Sequence, residues 1–134
     1  MEPAKIVVRF RDGRMTKGCS QDFFPNKPSF RIYENSAGVP GELIEVRVNE
    51  LKAVFFVKTF EGDSEYNERK TFLSEDKASG RKVEVTFFDD EVMQGSVLGY
   101  NPKQAGFFLF PIDSEGNNIR IFVVNEAVKN FRYL

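Results

Sequence analysis

The chain has 134 residues, with 19 Lys and Arg against 20 Asp and Glu, a formal net charge of −1. That balance excludes a generally basic nucleic-acid binder, so any polyanion site has to be a local patch. The lack of His excludes Ser-His and Cys-His nucleophiles and His-ligated zinc, and the single Cys19 excludes an internal disulfide and a thiolate metal cluster. A lone Cys also fits a reducing compartment. No apolar run approaches the ~20 residues of a membrane span. The start, Met1-Glu-Pro-Ala-Lys5, lacks the charged-then-apolar layout of a secretory signal. These features predict a cytoplasmic protein without membrane contact. Fifteen Phe and no Trp predict a Phe-rich core.

The sequence repeats at an offset of 77: Lys5-Ile-Val-Val-Arg-Phe-Arg-Asp-Gly13 aligns with Lys82-Val-Glu-Val-Thr-Phe-Phe-Asp-Asp90. Carried without gaps to Lys52 against Lys129, ten of 48 positions are identical. Chance at roughly 6% per position gives about three. Each copy reads as five short strands. The first alternates, with Ile6, Val8 and Phe10 on one side and Val7, Arg9 and Arg11 on the other. Asp12-Gly13 follows as a tight hairpin, and Asp90 stands at the Gly position of copy two. The second strand runs near Met15–Gln21 and carries Gly18, repeated as Gly95, which marks a sharp bend. A Pro-bearing loop (Phe24–Pro28; Tyr100–Gln104) leads to strand three, Phe30–Tyr33 or Phe107–Phe110. Turns at Asn35–Gly41 and Asp113–Asn118 precede strand four, Leu43–Val48 or Ile119–Val124. A last strand covers Ala53–Lys58 or Asn130–Leu134.

The predicted architecture is therefore all-β, two tandem five-stranded small barrels: 1–58, an acidic connector 59–80, and 81–134. Residues 61–80 carry six acids against three bases, and Ser64–Leu73 reads as one helical segment.

The pattern Val8-x-Phe10-x-Asp12-Gly13-Arg14-x4-Gly18, then Phe30-x-Ile32 and Leu51-x-x-Val54, resembles the Sm-like and wider SH3-like small barrels. That resemblance covers roughly 4–58 and 81–134 and implies a strongly bent five-stranded barrel. The strings Arg-Asp-Gly-x4-Gly-x3-Asp-Phe-x-Pro-Asn and Leu-Lys-Ala-Val-Phe-Phe-Val-Lys are also similar to an uncharacterised bacterial domain that accompanies signalling modules. Sm-like proteins bind RNA through an Asp/Asn loop after strand two and an Arg-Gly or Lys-Gly pair after strand four. Asp22 and Asn26 match the first feature. Val48-Asn49-Glu50 and Val124-Asn125-Glu126 stand where the second belongs and carry acids.

Residues 1–60 hold ten bases and seven acids. Arg9, Arg11, Arg14, Lys17, Lys27 and Arg31 form the candidate anion- or partner-binding set, since guanidinium forks meet phosphate or carboxylate bidentately. The bland alternative is an ordinary solvated strand face. Adjacent Phe in a strand point to opposite faces. Phe24, Phe55, Phe88 and Phe108 are therefore candidate docking aromatics, or else contacts between the two barrels. Cys19 has no His to activate it, and Asp89-Asp90-Glu91 sits on a hairpin tip, so no catalytic residue, metal site or cofactor is predicted. The function expected is a non-catalytic binding or adaptor module in bacterial signalling or regulation, with another protein as partner. The alternative is nucleic-acid or nucleotide binding through the Arg face of the first barrel.

Overall fold

The computed structural model describes residues 4–36, 39–60, 80–113 and 116–134. Over these the chain is all-β. Ten strands follow in order: β1 (Ala4–Phe10), β2 (Met15–Ser20), β3 (Ser29–Ser36), β4 (Val39–Arg47), β5 (Leu51–Val57), β6 (Arg81–Phe87), β7 (Val92–Val97), β8 (Gly106–Pro111), β9 (Asn118–Val124) and β10 (Val128–Tyr133). Single 3-10 turns, Val48–Glu50 and Asn125–Ala127, join β4 to β5 and β9 to β10. The predicted helix over Ser64–Leu73 and most of the connector lie outside the described residues. Among the described residues, no helix is long and apolar enough to cross a membrane.

The two halves share one strand order. β5-β1-β2-β3-β4 in the first is matched by β10-β6-β7-β8-β9 in the second. Local chemistry explains the match. Each hairpin closes with the same bonds: Phe10 N–H to Arg14 O and Phe87 N–H to Glu91 O, both 2.9 Å. Gly13 (φ 96°) and Asp90 (φ 70°) supply the left-handed residue that each turn needs. Asp12 Oδ1 and Asp89 Oδ1 each accept the N–H two residues on, at 3.0 Å. Gly18 and Gly95 sit where the next strand crosses closely. A Cβ there would lie 2.2 Å from Tyr33 O or 2.5 Å from Phe110 O. The turn read at Asn35–Gly41 is shorter than expected, because β3 continues to Ser36 and pairs it with Val39.

The halves are not separate barrels placed side by side. They form one ten-stranded antiparallel sheet, joined where β5 pairs with β9, Val54 opposite Phe122 and Phe55 opposite Ile121. Side chains alternate along these two strands, so the junction serves two cores on opposite faces. One core gathers Ile6, Val8, Phe10, Phe30, Ile32, Val54 and Phe56 of the first half with Phe122 and Val124 of the second. The other gathers Val83, Val85, Phe87, Phe107 and Leu109 with Ala53, Phe55 and Val57 from β5. Every residue of β5 is buried, including Lys52.

Among the described residues the sheet ends at β4 and β10, and the repeat shows how these ends differ from the junction. Phe108, Phe122 and Val124 turn the outer face of β8–β9 into the first core; their counterparts in the first half are Arg31, Glu45 and Arg47, all exposed. Ala53 and Phe55 correspond to exposed Asn130 and Arg132. Charged or polar side chains stand on the outer faces of the two end regions wherever apolar side chains stand at the junction, which disfavours a further copy adding on in the same way.

Candidate functional site: a cleft between equivalent loops

A concavity of about 740 Å³ opens where the loop–turn unit of one half faces its counterpart in the other. Pro28, Ser29, Arg47, Val48 and Asn49 line one wall, and Pro102 to Ala105 with Asn125 and Glu126 line the other. Both units are tied by the same bond: Val48 N–H to Pro28 O and Asn125 N–H to Ala105 O, each 2.9 Å. Val48 is buried in the first core. Continuing the ungapped offset, Asn125 takes Val48's place, one position from the alignment that sets Asn125 against Asn49. Its Nδ2 donates to Asn101 O (3.2 Å) and Gln104 O (2.9 Å). These two carbonyls fix the amide's orientation, since reversing it would set oxygen against oxygen. Oδ1 is left buried without a hydrogen-bond partner. An unsatisfied buried acceptor costs about 1–3 kcal/mol. Charges of both signs line the cleft, Arg47 and Lys103 with Glu45 and Glu126, along with Val48 and Val124.

The six cations read from the sequence each contact a group of the protein itself. Arg14 pairs with Asp12 at 2.7 Å, Arg31 with Asp22 at 3.0 Å, and Arg11 with Glu126 at 3.4 Å beside the cleft. Lys17 donates to Phe60 O at 3.0 Å, and Lys27 lies 4.7 Å from the centre of the Phe24 ring. Arg9 stands over the Phe55 ring at 5.4 Å. The carboxylates respond. The Arg14 N–H and guanidinium hold Asp12 below the ordinary carboxyl range. At Asp22 burial pushes the other way, but the N–H and guanidinium of Arg31 and the Ser20 hydroxyl outweigh it and leave the group lowered. Arg11, Arg14 and Arg31 thus each carry a carboxylate partner.

The aromatics divide. Phe24 (48% exposed) and Phe88 (64%) face solvent. Phe55 and Phe108 do not dock outside partners: Phe55 is buried in the second core, and Phe108 packs against the first, 5.3 Å from Phe122 and 6.1 Å from Phe56. That adjacent Phe face opposite ways follows from the strand alone; only the β5–β9 pairing turns Phe55 and Phe108 towards the other half. Arg47, Lys103 and Asn125 at the cleft lie outside the set expected from the sequence, although the turns after strand four that adjoin them depart from the Sm-like pattern.

Among the described residues, no group of three or more Cys, Asp or Glu is placed to hold a metal ion. No curated protein and no solved structure gives a significant match to the chain. Residues 2–134, nearly the whole length, match a family described as a family of unknown function, and the chain belongs to that family, DUF6982.

Proposed function

We propose that this protein is a non-catalytic binding or adaptor module of the bacterial cytoplasm, acting in signalling or regulation, whose cleft docks a short extended segment of another protein. Each half is read as a small barrel of the Sm-like or SH3-like kind, the two joined where β5 pairs with β9. The observation that supports the reading is a cleft between two equivalent loop–turn units, walled by both signs of charge. An extended polypeptide presents backbone N–H donors and side chains of either sign at alternate positions, which suits such a wall. A nucleic acid offers only negative charge along its backbone, and the pairing of Arg11, Arg14 and Arg31 with acids removes much of what would meet it.

Peptide display against the folded protein tests this. Selected peptides are expected to shift the amide resonances of Ser29, Arg47, Lys103 and Glu126. Asn125→Val, which places the side chain found at Val48 and removes the two bonds that tie the Asn101–Gln104 wall, should weaken them by about tenfold. Shifts confined to other surfaces would overturn the assignment. Filter binding to mixed single-stranded RNA and DNA pools is the counter-test. Submicromolar binding with a log–log salt slope of roughly −3 to −4 would install the nucleic-acid reading instead.

A further inference from the structure

β4 corresponds, at the offset of 77, to β9, and β9 has β5 along its outer edge. The edge of β4 has no strand beside it among the described residues. Side-chain exposure follows that difference. Ile121, paired with Phe55 of β5, is 6% exposed, while its counterpart Ile44 packs against the first core and is only partly buried. Leu43 (44% exposed) and its cross-strand partner Tyr33 (57%) are uncovered on the other face of the same edge. Glu45, two residues on, is exposed as well. Its cross-strand neighbour Arg31 is held by Asp22 at 3.0 Å, and among the described residues Glu45 has no ion pair.

We infer that the edge of β4 takes an extended segment of another protein as an added antiparallel strand, in the register by which β5 lies on β9. The edge borders the cleft, with Glu45 and Arg47 in its wall, so this rests on the docking proposed there and names the strand that holds the segment. β5 is the template. It sets Ala53, Val54, Phe55 and Phe56 opposite Val123, Phe122, Ile121 and Arg120. On β4 the same places face Val46, Glu45, Ile44 and Leu43. The segment therefore reads small, basic, aromatic, aromatic: a small residue beside Val46, a Lys or Arg against Glu45, and rings beside Ile44 and Leu43. Backbone bonds to the edge give affinity to any extended chain, and the side chains give the choice among chains. A second copy of this protein is the wrong occupant. Its β10 would bring Phe131 against Glu45 and Arg132 against Ile44, with polarity reversed at both places.

The probe is an acetylated, amidated peptide with the sequence of Leu51–Lys58 carrying Val54→Lys, titrated into the full chain by NMR. Amides of Leu43, Ile44 and Glu45 are expected to shift, and those on the free edge to gain protection from hydrogen exchange. The unaltered β5 sequence should bind about three- to fivefold more weakly, the size of an exposed ion pair, and a Val54→Glu peptide more weakly again. Glu45→Lys in the protein should invert the order of the Lys and Glu peptides, which a general loss of structure would not do. In an added strand only alternate N–H groups face the edge. N-methylation of one alternate pair of peptide residues should therefore weaken binding about tenfold or more, and of the other pair by little. Protection of β4 with Lys103 and Glu126 unmoved would uphold the edge and remove the cleft reading. Shifts at Lys103 and Glu126 with both methylated pairs tolerated would leave the cleft and overturn the edge. An unchanged peptide order with Glu45→Lys, self-association of the free chain through β4, or no saturable shift up to about 1 mM would also overturn the inference.

Discussion

The buried ammonium of Lys52 offers a stringent test of how the halves are joined. Lys52 is 6% exposed on β5, yet it reaches across the junction to the second hairpin: Nζ lies 2.7 Å from Asp89 Oδ2, contacts Glu91 Oε1, and sits 4.7 Å from the centre of the Phe87 ring. Its partners are far wetter, with side chains 55% and 42% exposed. The costs of disruption should therefore be unequal. Lys52→Met keeps the apolar stem, removes the ion from its buried place and returns two carboxylates to water. The lost attraction and the relieved desolvation nearly cancel, leaving about 0–1 kcal/mol. Asp89→Asn with Glu91→Gln instead strands the ammonium, for which about 3 kcal/mol is expected, the low end for an uncompensated buried charge. At roughly 4 °C per kcal/mol for a chain of this size, that double variant should melt about 12 °C lower and Lys52→Met within about 4 °C of the parent. Adding Lys52→Met to the double variant should recover most of the loss. Urea unfolding of all four proteins measures the cycle. If Lys52→Met costs as much as the double variant, the pair holds by attraction and the reasoning from asymmetric burial is wrong.

The charged free edges predict that the β5–β9 junction does not propagate: sedimentation of the parent should show no open-ended chains, whereas Arg31→Phe, Glu45→Phe and Arg47→Val combined with Asn130→Ala and Arg132→Phe should produce concentration-dependent oligomers. Gly18→Ala places a Cβ 2.2 Å from a backbone oxygen, so a loss of about 3 kcal/mol or more in urea unfolding is expected, while Gly13→Asn, matching the left-handed Asp90, should stay within about 1 kcal/mol. Asp12, Asp22, Glu84 and Asp89 are all lowered; Glu84 by the Arg132 guanidinium and then the Gln94 amide, Asp89 chiefly by the Lys52 ammonium. In each case the unfolded chain binds the proton more tightly, so their stabilisation is complete above the ordinary carboxyl values of 3.8 and 4.5 and disappears as pH falls through the lower folded values. With no His to titrate, melting temperature should be flat from pH 6 to 8 and fall steeply below about pH 4.

The local rules of this protein were written in its sequence. The alternation in Lys5–Phe10, the Asp12-Gly13 turn and the recurring Gly18 and Gly95 each act over a few residues, through backbone sterics and a period of two, and the offset of 77 carried them to the second half. They determined ten strands in two like sets. What they left undetermined was which side chains face water, because a strand pattern assigns two faces without saying what covers the outer one. That was decided when β5 paired with β9, which turned Phe55 and Phe108 inward and gave each core strands from both halves. The same step drew the turns at Val48–Glu50 and Asn125–Ala127 to the two sides of one cleft. Ion pairs such as Arg31 with Asp22 and Arg11 with Glu126 join residues 9 and 115 positions apart. No spacing rule announces such pairs, since they depend on the distance between folded surfaces rather than on separation along the chain.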